Sequence, residues 1–239
     1  MSLTIVRLYH DLLGTYGDQG NAEVLVHRAQ ARGIDVELVE VTPHEPVPTS
    51  GDIYLLGGGE DGPQTVALEM LRTDGGLTAA VNSGASVFAV CAGFQLIGTR
   101  LPNSQGRTID GLGLVDVETI YTDEPRCVGE LVIRYSQTIT QPIMTGFENH
   151  QGRSVLGAGV TPLGHVLSGI GNGRDGVDCV RPEGVHVAKV FGTYMHGPAL
   201  VRNPALADAV LEGACGPLAE YVDEFAEALA AERRTTLWP

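Results

Sequence analysis

The chain has 239 residues, enough for one large domain that needs neither disulfide nor metal to fold. Its formal net charge of −14 argues against nucleic acid and anionic membrane surfaces as partners. Four cysteines, Cys91, Cys127, Cys179 and Cys215, are too few for a disulfide scaffold, and without a C-x-x-C pair among them zinc and thioredoxin-like readings lack support.

The first half alternates strand and helix. Leu3 to Tyr9 is a short apolar run with no long apolar region of a signal peptide, and no stretch reaches the length of a membrane span, so the chain reads as soluble and cytoplasmic with reduced thiols. Helical spacing covers Asn21 to Arg32, with Gly33 at its C-cap. Strands are predicted at Asp35 to Val41, Asp52 to Leu56 and Ser86 to Val90, and helices at Leu77 to Ser83 and Gly93 to Thr99. This rhythm predicts a mostly parallel sheet with helices on both faces. The second half is richer in strands: Asp116 to Tyr121, Val128 to Tyr135, Ile143 to Phe147, and His186 to Phe191 alternating into Gly192. Gly169 to Gly176 reads as a Gly-rich loop. Two helices close the chain, Pro204 to Glu212 and Leu218 to Arg234, the last with an apolar stripe of Leu218, Tyr221, Val222, Phe225, Ala228 and Leu229. Nothing divides residues 1–239 into separate domains.

Cys91 follows a predicted buried strand and precedes a helix start. A thiol at such a turn has its pKa lowered by the helix N-terminus, whose N–H groups at Ala92 and beyond face an oxyanion. A buried core cysteine is the other reading, and spacing leaves both open. His196 ends a strand between Gly192 and Gly197, where it serves as a turn residue or, with an elbow cysteine, as a base. Gly57-Gly58-Gly59-Glu60-Asp61-Gly62 formally satisfies G-x-G-x-x-G. It follows about the third strand, however, with no acid at the dinucleotide spacing, so it reads better as a loop giving an oxyanion N–H beside Cys91. Phe147 to Gly152 and the loop holding Asp175 and Asp178 read as structured turns rather than metal sites. Lys189 is the only lysine and is followed by Val190, so the chain has no Walker A loop.

Together the elbow, the Gly loop and the late histidine resemble triad-type glutamine amidotransferase domains. Val90-Cys91-Ala92-Gly93-Phe94-Gln95-Leu96 and Gly192-Thr193-Tyr194-Met195-His196-Gly197 are similar to the subfamily found in cobyric acid synthases. Tyr16-Gly17-Asp18-Gln19-Gly20-Asn21, Gly146-Phe147-Glu148-Asn149-His150 and His196-Gly197-Pro198 with Asn203-Pro204 narrow the likeness to glutaminase subunits of lipid II isoglutaminyl synthases. The resemblance implies a flavodoxin-like sandwich and hydrolysis of glutamine to glutamate and ammonia. It further implies a heterodimer with a Mur-ligase-like partner, which uses ATP and Mg to amidate the D-glutamate α-carboxyl of the peptidoglycan stem. No cofactor or metal is then expected in this chain. By the same resemblance Cys91 is the nucleophile and His196 the base. Ala92 with Gly58 or Gly59 supplies the oxyanion hole, and Arg126 and Gln95 face the substrate.

The family's usual glutamate two residues after the histidine is here Pro198. The orienting acid is therefore expected from elsewhere, and the partner subunit is the expected donor. The rival readings are the glutaminase part of a corrinoid amidotransferase and a non-enzymatic subunit with a vestigial elbow.

Overall fold

In the computed structural model, residues 2–137, 139, 142–173 and 180–238 are described. A six-stranded sheet organises the chain. It is built from β1 (Ser2–Leu8), β2 (Asp35–Val41), β3 (Ile53–Leu56), β4 (Ser86–Val90), β13 (Val185–Val187) and β14 (Val190–Thr193) in the order β13-β14-β4-β3-β1-β2. All neighbours pair in parallel except β13 and β14, which form an antiparallel hairpin at one edge. The expected single run through His186 to Phe191 is thus broken by a turn, with Ala188 at φ 51°. Every residue of β3 and β4 is buried, as strands covered on both faces require. The edge strand β2 alternates and exposes its acids.

Helices cover both faces. They are α1 (Gly20–Gln30), α2 (Asp61–Asp74), α3 (Gly76–Asn82), α4 (Ala92–Ile97), α5 (Ala199–Arg202), α6 (Pro204–Cys215) and α7 (Glu224–Leu237). The sequence reading missed α2, which begins in the glycine-rich stretch at Asp61-Gly62-Pro63. Pro63 is tolerated in the first turn, and the buried Gln64, Ala67, Leu68 and Leu71 form one helical face. Gly75 ends it at φ 74°. Helix α7 starts six residues later than expected: Leu218 to Asp223 is irregular, and Asp223 caps the helix by accepting from Ala226 N at 3.1 Å. Its stripe is not a core face, since Val222 and Phe225 are 64% and 90% exposed. Buried Arg28 of α1 forks onto Asp208 of α6, with both nitrogens at 2.7 Å, and ties the two helices together.

Eight further strands form two four-stranded sheets. One has the order β10 (Arg153–Leu156), β7 (Val117–Ile120), β5 (Arg100–Pro102), β6 (Thr108–Asp110). The other runs β12 (Pro182–Glu183), β11 (Gly164–Ser168), β8 (Cys127–Tyr135), β9 (Ile143–His150). The β8–β9 ladder pairs Cys127 with His150 at one end and Arg134 with Ile143 at the other. Glu148, Asn149 and His150 therefore continue β9 rather than forming the expected turn. Asp175, Asp178 and Cys179 lie outside the described residues. Among the described residues, no helix is long and apolar enough to cross a membrane.

Candidate active site

Four segments leave the carboxyl edge of the central sheet and meet there, the edge at which ligands bind in open parallel sheets. Cys91 follows β4, His196 follows β14, Gly58 and Gly59 follow β3, and Asp18 lies in the loop after β1. Cys91 adopts φ 50°, ψ −103°, a conformation costly for a residue with a Cβ and typical of a nucleophile elbow. Ladder contacts over-determine it: Cys91 N donates to Thr193 O at 2.8 Å, and Gly93 N donates to Gly57 O at 3.1 Å. A Cβ on Gly93 would stand 2.7 Å from Leu56 O, so only glycine lets α4 leave the sheet so closely.

His196 is almost fully buried and is held by a two-way backbone bridge to Phe147 of β9. Its Nδ1 lies 2.9 Å from Asp18 Oδ2, and the Asp18 side chain is wholly buried. The orienting acid expected from a partner subunit is thus in this chain, 178 residues upstream. Asp18 lies in the Tyr16 to Asn21 motif, but nothing in the local sequence links it to His196. Gly58 N donates to the same Oδ2 at 2.8 Å. That contact corrects the expectation for Gly58: its N–H fixes the acid and is not free for an oxyanion. Gly59 and Ala92 line the cleft beside Cys91, and Ala92, as the first residue of α4, has no intrahelical acceptor for its N–H.

His196 Nε2 is buried and makes no hydrogen bond of good geometry among the described residues. Cys91 is among the groups that perturb it, and catalytic pairs without substrate often lack a well-aligned hydrogen bond. Burial lowers the imidazole pKa, but the Asp18 hydrogen bond, the neighbouring Cys91 thiol and the Asp18 charge outweigh it and push it up to about 10. Elsewhere burial works on thiols in the opposite sense to reactivity. It pushes buried Cys127 up to about 11.

The cleft measures about 400 Å³, counting space open to solvent. Arg126 stands exposed at its rim, where Nε donates to Asn149 Oδ1 at 2.5 Å and Nη2 to Asn149 O at 3.2 Å. Gln95 also lines the cleft, but it is buried and engaged. Its Oε1 accepts from Gln64 at 2.8 Å and its Nε2 donates to Tyr194 OH at 3.3 Å, so it braces the floor. Sequence reasoning missed Tyr16, Asn149 and His150 as lining residues. Cys127, Glu148 and His150 place ligand-type atoms within 4.8 Å of one another. Glu148 is already engaged, however, accepting from Ile170 N, Gly171 N and His150 Nε2. The cluster reads as a clamp on the 169–171 loop, with the Glu148 oxygens and both His150 nitrogens already engaged.

The CobB/CobQ-like glutamine amidotransferase model matches residues 4–204. The chain belongs to that family of enzymes, and the central sheet with its elbow cysteine agrees. It is 36% identical to the GatD subunit of the glutamine-hydrolyzing lipid II isoglutaminyl synthase of Staphylococcus aureus, over 89% of this chain and 84% of that protein. It is also 36% identical to the GatD subunit of Streptococcus pneumoniae, over 86% and 77%. A cobyric acid synthase of Brucella anthropi is 33% identical over 68% of this chain but only 32% of its own length. Among solved structures, a glutamine amidotransferase superposes with TM-score 0.57 at 19% identity, over 87% of this chain and 98% of that one. Another from Thermotoga maritima gives 0.53 at 11%, over 98% and 92%. At such identities the superpositions bear on fold alone.

Proposed function

We propose that this chain is the glutaminase subunit of a lipid II isoglutaminyl synthase. The observation that carries the reading is the buried Asp18–His196 pair beside an elbow cysteine, in a chain that spans most of the GatD subunits it resembles. His196, its pKa raised by Asp18 and by the neighbouring Cys91, takes the proton of the Cys91 thiol, and the thiolate so formed is the nucleophile. The thiolate attacks the side-chain amide carbon of glutamine and forms a C–S bond. The tetrahedral oxyanion is met by the Ala92 and Gly59 N–H groups. As the C–N bond breaks, His196 gives its proton to the departing ammonia. His196 then takes a proton from water, which attacks the thioester and releases glutamate and the thiolate. Asp18 holds the tautomer and steadies the imidazolium throughout.

The ammonia passes to an ATP-dependent, Mur-ligase-like partner subunit, which binds ATP and Mg and amidates the D-glutamate α-carboxyl of the lipid II stem peptide. The lack of a Walker A loop here supports that division of labour. The corrinoid alternative is weaker, because the cobyric acid synthase matches 68% of this chain at 33% identity, whereas the GatD subunits match 89% and 86% of it at 36%. The test is a glutaminase assay with parent and Cys91→Ser chains, together with identification of the protein that co-purifies. Glutamate release by the parent alone, and a Mur-ligase-like partner, are expected. Equal release by both chains overturns the mechanism, and a corrinoid-binding partner overturns the pathway.

A further inference from the structure

Asn149 touches three parts of the site at once. Its side-chain and main-chain oxygens both accept from Arg126, at 2.5 and 3.2 Å, so one edge of the guanidinium is clamped and the Nη1 end is left for a ligand. Its carboxamide NH2 donates to Tyr16 OH at 2.7 Å. Its main-chain oxygen lies 3.9 Å from Cys91 Sγ. Tyr16 in turn sets its ring 4.8 Å from that of His196. Tyr16 holds φ 63°, which turns the loop after β1 over the cleft. All five residues but His196 line the same cleft, with Glu60 and Asp61 adding negative charge to it.

We infer that Asn149 and Tyr16 form, with Arg126, a strap that recognises the α-amino-acid end of the substrate and sets its distance from Cys91. The inference rests on the glutaminase reading above. The β8–β9 register supplies the ruler. Arg126 immediately precedes β8, Asn149 pairs with Val128, and the clamp therefore fixes the cation relative to the strand whose carbonyl faces the thiol. A free arginine at an exposed rim samples many rotamers, whereas a clamped one offers a fork in one orientation. Asn149 and Tyr16 are thus positioning and specificity residues, acting through Arg126 and against His196.

The experiment compares L-glutamine with γ-aminobutyramide, in which hydrogen replaces the α-carboxylate. Asn149→Ala should raise KM for glutamine by about 10–100-fold, the loss of a hydrogen bond to a charged group, with kcat nearly unchanged. Tyr16→Phe should move KM the same way and less. Neither should affect the carboxylate-free analogue, and Asn149→Ala should add nothing in an Arg126→Ala background. Glutamine affinity measured by calorimetry in the Cys91→Ser background should fall by the same factor, so the test stands even where turnover is slow. An unchanged KM and affinity, or equal losses for both compounds, overturns the strap. If the parent releases no glutamate from glutamine, the glutaminase reading fails instead.

Discussion

Asp18 and His196 are separated by 178 residues of chain and by 2.9 Å between Oδ2 and Nδ1. The carboxylate oxygen is shared with Gly58 N, so the acid is fixed by the loop after one strand while it orients a base after another. Asp18→Asn keeps the shape and removes the charge. Turnover of glutamine should fall by about 10²–10⁴-fold, because the wrong tautomer is stabilised and the imidazolium loses its partner. The imidazole pKa, followed by NMR, should drop from about 10. Parent-like turnover in a folded variant would show that another acid serves His196.

Cys91 should be the thiol labelled by an electrophilic glutamine analogue. Among the described cysteines it alone combines the elbow backbone with a neighbouring imidazole, whereas burial raises the pKa of Cys127 to about 11. Peptide mapping after brief labelling checks this. Modification of Cys127 or Cys215 ahead of Cys91 would sink the nucleophile assignment.

Gly58 faces the pair directly. A Cβ there would stand 2.6 Å from His196 Cε1 and 3.1 Å from Asp18 Oδ2. In Gly58→Ala the imidazole must shift, and misplacement of a reacting group by about 1 Å costs on the order of 10²-fold in rate. The thermal midpoint should change little beside that loss. A variant with full turnover would mean that the ring sits elsewhere during catalysis.

Glu183 of β12 is fully buried beneath the strand that carries His196, accepting from Tyr194 N at 2.7 Å and Thr193 Oγ1 at 2.8 Å. Burial pushes its carboxyl up to about 7 from 4.5, with nearby Glu148 adding to the rise and those hydrogen bonds opposing it. The native state therefore keeps a proton that the unfolded chain releases between these values, and stability falls as pH rises through that window. The linkage amounts to roughly 3 kcal/mol. Glu183→Gln keeps the acceptor and removes the titration, so between about pH 4.5 and pH 7 its urea midpoint should fall less than the parent's. Parallel midpoints in the two proteins would show that Glu183 stays ionised throughout.

The sequence by itself determined the parallel strand–helix rhythm, the elbow at Cys91 and the late histidine, because period, breakers and small residues act over a few neighbours. It could not place α2, whose glycine-rich start masks an apolar face that shows only on packing. Nor could it show that the stripe through Val222 and Phe225 faces solvent. The expectation that a partner supplies the orienting acid arose because Pro198 removed the usual local donor, and local sequence held no replacement. Only the strand order decided otherwise. Placing β1 beside β3, β3 beside β4 and β4 beside β14 gathers four loops at one edge, so that Asp18 meets His196 and the Gly58 N–H is spent holding it. Hydrogen bonds between loops so distant in the chain leave no periodic trace along it, since they depend on which strands pair rather than on what lies next to each residue.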